Sequence, residues 1–443
     1  MTLKEALDEA TRCLLCEDPE CVKGCPAGVD VPGFVRRMHA GNMYGAIKIL
    51  RWTNPLPDTC ALVCPTEELC QKNCKLIEEA AQPLKIGELQ HFVADYEKQL
   101  RSPVTFIRNP KTEKVAVLGG GAAGLACAAK LATMGYRVTI LEKGEQPGGT
   151  MYYYIPPYRL DREVILREIE AIKDYGVEIN TEADIRDLDE LFEQGYDAIF
   201  VGTGASQSAK IGLPGEEAEG FYLALDFLRQ TNERLLNQQG FAGLGNRVLV
   251  IGGGNVAVDC AMSSMSLGAK EVEMICLEGP NEMPAWNRGR NETWEKGIII
   301  HHRYMPKEIL VENGRVAGLR AVQIRWKEPD KYVPSNAEEI PGTEITLRAD
   351  TIIEAVGQRV SDEVRSLLPG VEFEGGLIKI DPDTLATTRE GVYAGGDVVS
   401  GGGTVVGAVA DGIQAALSIR SCLEAKHPEA NPPEVTEVSG VSH

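Results

Sequence analysis

The sequence lacks any run of 18 or more apolar residues, so it offers no candidate membrane-spanning helix. It also lacks the apolar core of a signal peptide. The opening MTLKEALDEATRC reads instead as an amphipathic helix, which predicts a cytoplasmic protein. Basic residues are in deficit, 45 Lys and Arg against 65 Asp and Glu, and the net charge of −20 argues against nucleic acid or an anionic membrane as the main partner. No low-complexity tract interrupts the chain, and no general acid–base pair or catalytic triad is evident, so no catalytic side chain is assigned. What remains is a globular composition, 43% hydrophobic and 25% charged, over 443 residues, enough for about three domains.

Cysteine is distributed unevenly. Eight of the twelve (Cys13, Cys16, Cys21, Cys25, Cys60, Cys64, Cys70 and Cys74) fall in the first 74 residues, which marks a separate N-terminal module. The other four, Cys127, Cys260, Cys276 and Cys422, stand singly and read as small core residues. Helical patterns cover roughly 3–15, 33–53 and 85–100, and LRSPVTFIRNPKTEK follows as a linker. The first array is Cys13-x2-Cys16-x4-Cys21-x3-Cys25-Pro; the second is Cys60-x3-Cys64-Pro-x4-Cys70-x3-Cys74. Disulfides fit a cytoplasmic chain poorly. Structural zinc usually takes paired CxxC knuckles, and only Cys13 and Cys16 form one. Iron–sulfur ligation fits best, because three close cysteines plus a distant Cys-Pro resemble the ferredoxin-type run. On spacing alone the eight thiolates suggest two all-cysteine clusters.

From Lys114 the pattern changes to short β-branched strands alternating with helices, the signature of α/β architecture with parallel sheets. One feature occurs twice: strand, then GxGxx[G/A], then helix. In VAVLGGGAAGLACA, Gly119 allows the tight turn, Gly121 lets a pyrophosphate approach, and Gly124 lets helix and strand pack closely; Ala122 and Ala123 open the helix. VTILEK then places Glu142 where a carboxylate accepts from ribose hydroxyls. The second unit, RVLVIGGGNVAVDCA, carries Gly252, Gly254 and Ala257 in the fingerprint positions and predicts the nicotinamide nucleotide site. Where NADPH users carry a basic pair past the next strand, this chain has Leu277 and Glu278. A carboxylate suits a free ribose diol and repels a phosphate, so NADH is expected over NADPH, with Arg288 or Arg290 as substitute phosphate ligands. TIIEAVG and GVYAGGD follow the second unit, so the first domain is expected to resume there with the second inserted in it.

GVYAGGDVV resembles the second flavin fingerprint of two-dinucleotide-domain flavoproteins, and VGTGAS resembles their linking motif. Together with NPLPDTCALVCPTEELC, IGELQHF, IPPYRL and GGGNVAVDCA, these motifs make residues 10 to 425 similar to one electron-entry module. It is the FAD and iron–sulfur module shared by the glutamate synthase small subunit, dihydropyrimidine dehydrogenase (its N-terminal half and its stand-alone bacterial counterpart) and the large subunit of NADH-dependent ferredoxin–NADP oxidoreductase. The likeness is greatest to dihydropyrimidine dehydrogenase.

The resemblance implies a helical domain with two [4Fe–4S] clusters at 1–110 and a Rossmann-like FAD domain at 111–225 that resumes at 346–443 with a C-terminal tail. An inserted NAD(P)H domain would occupy 226–345. It implies that Cys13, Cys16, Cys21 and Cys74 hold one cluster, and that Cys25, Cys64, Cys70 and Gln90 hold the other, leaving Cys60 a non-ligand. It implies FAD contacts from Glu142, Lys143, Gly149 and Arg159, with Gly395, Gly396 and Asp397 on the far side and a helix starting near Thr404 facing the flavin ring. It implies that Gly253, Gly254, Asn255, Val256 and the loop Ala355, Val356, Gly357 line the nicotinamide site. The expected activity is NAD(P)H oxidation, with hydride passing to FAD and single electrons leaving through the clusters to a partner subunit in a heteromeric complex. The expected partner is an FMN-containing dihydropyrimidine dehydrogenase. A glutamate synthase or bifurcating ferredoxin-linked complex, and a stand-alone flavoprotein reductase with structural zinc, are the alternatives.

Overall fold

A computed structural model describes residues 1–426 apart from 101–102, 107–108, 238–240 and 242. Part of the expected linker, and the expected tail from 427, lie outside the described residues.

The N-terminal region is helical. Leu3–Ala10, Val31–His39, Met43–Thr53 and Ile86–Tyr96 pack around Phe34, Met38, Ile47, Leu50, Leu89 and Val93, all of them buried, while the helix Pro57–Val63 turns Cys60 and Val63 into the core of the unit that follows. The helix starts are written in short polar side chains. Thr2 and Glu5 form a capping box, Asp30 accepts from the Gly33 amide at 2.9 Å, and Asn42 accepts from the Gly45 amide at 2.8 Å. The helical pattern over 33–53 is two helices rather than one. Gly41, at φ +68°, ends the first, and Asn42 caps the second.

Two parallel five-stranded sheets follow. The first runs Val392–Ala394, Ala198–Val201, Lys114–Leu118, Arg137–Leu141, Glu178–Asn180. The second runs Phe221–Leu223, Thr351–Glu354, Arg247–Ile251, Glu271–Cys276, Ile299–His302. In each, strand order reverses beside the strand that feeds a Gly-rich turn, and an open α/β sheet binds ligands in the crevice at that switch point. An antiparallel sheet of Tyr304–Glu312, Arg315–Trp326, Ala337–Glu339 and Ile345–Arg348 extends the second unit. The chain passes between the parallel sheets at one place, where Gln207–Ser208 pairs antiparallel with Gln358–Arg359.

One expectation needs correcting. TIIEAVG does not resume the first sheet: Thr351–Glu354 pairs with Arg247–Ile251 and Phe221–Leu223 in the second. The second unit therefore reaches beyond 226–345 on both sides, and the chain rejoins the first sheet only at Val392–Ala394.

Candidate cofactor sites

The first crevice is built by close backbone approach. Gly119 has φ +96°, and a Cβ there would lie 2.7 Å from the Gly202 carbonyl oxygen. A Cβ on Gly124 would lie 1.9 Å from the Gly119 carbonyl oxygen, so strand and helix meet with no side chain between them. In front of Gly121 the space is open: its nearest neighbour to an added Cβ is the Gly202 oxygen at 4.0 Å. Gly121 caps the helix Ala122–Thr133 with no side-chain hydrogen bond, so the first helical amides face a cradle shaped for phosphate. Glu142 accepts from the Gly120 amide at 2.6 Å and the Gly144 amide at 2.7 Å, which fixes it against the Gly-rich turn. Gly149, at φ +50°, comes so close that its Cβ would lie 3.0 Å from the Gly121 Cα.

The second flavin-type segment closes the same crevice. A Cβ on Gly396 would lie 3.1 Å from that of Ala123, and the Gly396 amide donates to Asp411 at 2.8 Å. Gly395 and Gly396 are buried, and burial pushes the carboxyls of Asp397 and Asp411 up. Thr404 caps the helix Val405–Lys426, its hydroxyl accepting from the Gly407 amide at 3.0 Å. That helix lies on Ala122–Thr133 so closely that a Cβ on Gly412 would be 2.2 Å from the Ala123 carbonyl oxygen. Two segments about 270 residues apart in sequence thus wall one cradle, which fits a dinucleotide held along its length.

Lys143 and Arg159 each form an ion pair with a distant carboxylate. The exposed Lys143 ammonium pairs with Glu363 at 2.6 Å. The Arg159 guanidinium grips both oxygens of Asp259 at 2.6 and 2.8 Å; Asp259 belongs to the helix after the second fingerprint, so this ion pair ties the two units together.

The second crevice repeats the first. Gly252 has φ +139°, and a Cβ there would lie 2.3 Å from the Ala355 carbonyl oxygen. A Cβ on Gly253 would meet a Glu278 carboxylate oxygen at 2.8 Å, and one on Gly254 would meet nothing within 4 Å. Asn255 accepts from the Trp286 amide at 3.0 Å, fixing the loop over the start of Asn255–Ser266, and Val256 is half-buried beside it. Of the Ala355, Val356, Gly357 loop, Ala355 is buried and Val356 stands exposed. Glu278 is half-buried, and desolvation with the nearby Glu282 pushes its carboxyl up. Its surroundings are partly basic: the Arg303 amide and His302 Nδ1 contact its carbonyl oxygen, and the Arg303 guanidinium pairs with Glu282. Arg290 donates to the Pro280 carbonyl at 2.7 Å, and Arg288 pairs with Glu292 at 3.1 Å.

In the helical domain, Cys13, Cys16, Cys21 and Cys74 line one small cavity with Leu14, Pro19 and Ile86. Cys25, Cys60, Cys64 and Cys70 form a second neighbourhood in which the thiols influence one another. Burial pushes the thiols of Cys13, Cys21, Cys25 and Cys70 up, to about 12 at Cys21 and Cys70, and the positive charge of a bound metal would favour their thiolates. Gln90 is buried rather than exposed, and its Nε2 donates to the Pro57 carbonyl at 2.6 Å, beside the second neighbourhood. Among the described residues, no three His, Cys, Asp or Glu converge on a point for a single ion. Thiolates of a tetrahedral single-ion site stand about 3.8 Å apart, whereas a cubane presents a separate iron to each thiolate and so spreads them wider.

Sequence reasoning missed Asp259, Asp411, Glu282 and Arg303. Asp259 lies within GGGNVAVDCA, but its partner Arg159 is 100 residues away, and Asp411 with Gly396 and Glu282 with Arg303 meet across 15 and 21 residues with no motif to mark them. Among the described residues, no helix is long and apolar enough to cross a membrane.

Fold and crevices define a two-dinucleotide oxidoreductase with a cysteine-rich head. Comparison with known proteins agrees. The dihydropyrimidine dehydrogenase domain II, 4Fe-4S cluster family matches residues 1–102, and the pyridine nucleotide-disulphide oxidoreductase family matches residues 109–412. The chain belongs to the pyridine nucleotide-disulphide oxidoreductases, in the branch that carries this iron–sulfur domain. It is 35% identical to the NAD-dependent dihydropyrimidine dehydrogenase subunit PreT of Escherichia coli, over 95% of this chain and 94% of that one. It is 33% identical to the glutamate synthase [NADPH] small chain of Escherichia coli, over 95% and 92%. With the NADP(+)-dependent formate dehydrogenase subunit beta of Moorella thermoacetica it shares 37% identity over 91% of this chain, which spans 60% of that relative. In fold, 73% of the chain matches 86% of Mycobacterium tuberculosis FprA in complex with NADPH, at a TM-score of 0.60 and 18% identity. The protein is thus an oxidoreductase with a 4Fe–4S domain and a flavin- and nicotinamide-dependent catalytic body.

Proposed function

We propose that the chain is the NADH-oxidising electron-entry subunit of a cytoplasmic heteromeric enzyme. It holds FAD in the first crevice, NADH in the second and two [4Fe–4S] clusters in the head, and it serves an FMN-containing dihydropyrimidine dehydrogenase subunit. When bound, a flavin accepts a hydride and releases electrons singly, and iron–sulfur clusters carry them one at a time.

The observation that carries this reading is the asymmetric placement of the cysteines. Cys25, Cys60 and Cys64 pack against the core of the first Rossmann unit. Cys13, Cys21 and Cys74 pack only against the helical core, in a cavity edged by the exposed Leu14. Cys25 and Cys64 beside the flavin unit, Cys70 behind them in the helical core, and an outer set near the surface are the layout a relay to a partner requires. The ligands proposed are Cys25, Cys64, Cys70 and Gln90 inside, and Cys13, Cys16, Cys21 and Cys74 outside.

The residues of the chain bind and orient. Glu142 and the amides after Gly121 take the adenosine and pyrophosphate of FAD, and Asp397 stands at its ribityl side. Glu278 takes the ribose diol of NADH, with Asn255 and the loop 355–357 guiding the nicotinamide toward the flavin crevice. The likeness to the glutamate synthase small chain supports a second partner, the large subunit of a glutamate synthase.

Anaerobic purification tests the reading. Expected are bound FAD, about eight iron and eight labile sulfide per chain for two cubanes, bleaching of both chromophores by NADH, and a co-purifying FMN subunit that reduces uracil or thymine. Absence of iron and sulfide would leave a stand-alone reductase instead, and a co-purifying glutaminase-type subunit would favour the glutamate synthase partner. Gln90→Cys should keep both clusters and move one potential, and Cys60→Ser should leave the iron content unchanged. Two unmoved potentials would remove Gln90 from the ligand set.

A further inference from the structure

The helix Pro57–Val63 starts without a cap of its own. Its N-cap is Leu56 and its first residue a proline, so no local side chain accepts from its leading amides. The acceptor comes from 110 residues away. Glu168, on the helix Arg162–Lys173 of the first Rossmann unit, accepts from the Asp58 amide at 2.7 Å, the Thr59 amide at 3.2 Å and the Thr59 hydroxyl. Glu168 is fully buried, so water cannot take its place. Arg51, itself buried and held by Pro55 O at 2.8 Å and Glu97 at 2.6 Å, supplies the nearby positive charge.

This one carboxylate holds the start of the backbone segment that carries Cys60 and Cys64. Cys60 lies on the helix, Cys64 is its C-cap, and the Pro57 carbonyl is the acceptor for Gln90 Nε2 at 2.6 Å. A second carboxylate crosses in the other direction: Asp58 of the head binds Arg167 of the Rossmann helix, and His91, next to Gln90, contacts Asp58 at 2.5 Å. Each side of the seam therefore lends the other a buried acceptor. A hydrophobic seam tolerates sliding, whereas directional bonds to fixed amides set register.

We propose that Glu168 is a positioning residue, which seats the helix Pro57–Val63, and with it Cys64 and Gln90, at a fixed distance from the flavin crevice. The inference rests on the electron-entry reading. Its consequence is kinetic separation: loss of the carboxylate slows passage from flavin to clusters and leaves the NADH–flavin step alone.

The test uses the full chain, prepared anaerobically with its cofactors, as wild type, Glu168→Ala and Glu168→Gln. Rapid mixing with NADH follows flavin bleaching and cluster reduction separately, and hydrogen exchange follows the amides of residues 58–63. Flavin reduction is expected to stay within about twofold in both variants, with iron and FAD content retained. Cluster reduction is expected to slow about tenfold or more in Glu168→Ala and less in Glu168→Gln, whose amide oxygen still accepts. Exchange of the 58–63 amides should accelerate in the same order. Wild-type cluster reduction in Glu168→Ala, loss of iron from both variants, or flavin reduction slowed in proportion would each overturn the proposal. If NADH fails to reduce the wild-type clusters, the electron-entry reading falls, and the exchange measurement still decides whether Glu168 seats the helix.

Discussion

The two nucleotide crevices are built on one plan and finished differently. Each has three consecutive glycines and a carboxylate that reaches back over the middle one: Glu142 lies 3.1 Å from a Cβ on Gly120, and Glu278 lies 2.8 Å from one on Gly253. In the first crevice Glu142 is tied to two amides, and a second chain segment, Gly395 to Thr404 with the long helix behind it, covers the opening. In the second, a Cβ on Gly254 would meet nothing within 4 Å among the described residues, and Val356 is exposed. On the proposed assignment the contrast would separate a cofactor that stays from one that comes and goes. The plan gives affinity for a dinucleotide, and the covering segment decides residence.

The largest expected effect breaks the contrast at its glycines. Gly124→Ala drives a methyl into the Gly119 carbonyl and Val117, at 1.9 and 3.1 Å, with no room to yield. It should cost about 1–3 kcal/mol and release FAD, read from thermal unfolding and bound flavin. Gly254→Ala, where nothing lies within 4 Å, should keep the fold and the FAD and raise only the Michaelis constant for NADH. Equal loss of flavin in both would erase the distinction between the sites. Next, Glu278→Arg should shift preference from NADH toward NADPH by about tenfold in each Michaelis constant, some 1.4 kcal/mol apiece. A wild-type enzyme that already prefers NADPH would defeat the reasoning.

Asp259→Asn tests the tie between the crevices. Removing one charge from the pair with Arg159 leaves a half-buried guanidinium short of its counter-ion. A loss of about 1–2 kcal/mol in unfolding, with slower flavin reduction at saturating NADH, is expected; unchanged flavin reduction would make the pair merely structural. The smallest effect is one of pH. Burial raises the Glu278 carboxyl above its ordinary value of 4.5, so the acceptor for the ribose diol is lost on acidification sooner than an exposed carboxylate would be. The Michaelis constant for NADH should climb from a correspondingly higher pH, and Glu278→Gln should flatten that limb.

Much of this plan is legible in the sequence, because close backbone approach demands glycine and leaves GGGAAG, GGGNVA and AGGD in plain view. The cysteine arrays are equally visible. Strand partnership is not: Thr351–Glu354 is a short apolar run, and a strand buried on both faces looks the same in either sheet. The antiparallel sheet had a readable signal in Asn313-Gly314, both at positive φ, the turn of the hairpin between Tyr304–Glu312 and Arg315–Trp326. Arg159 with Asp259, and Glu168 with Asp58 and Thr59, are separated by about a hundred residues and leave no local pattern.

The pairing of Gln207–Ser208 with Gln358–Arg359 has a consequence for ancestry. Everything between these two crossings, a whole nucleotide unit with its antiparallel extension, enters and leaves through neighbouring strands. None of it contributes a strand to the first sheet. The unit is a cassette, and a lineage could gain, lose or exchange it without breaking a single rung of the flavin sheet.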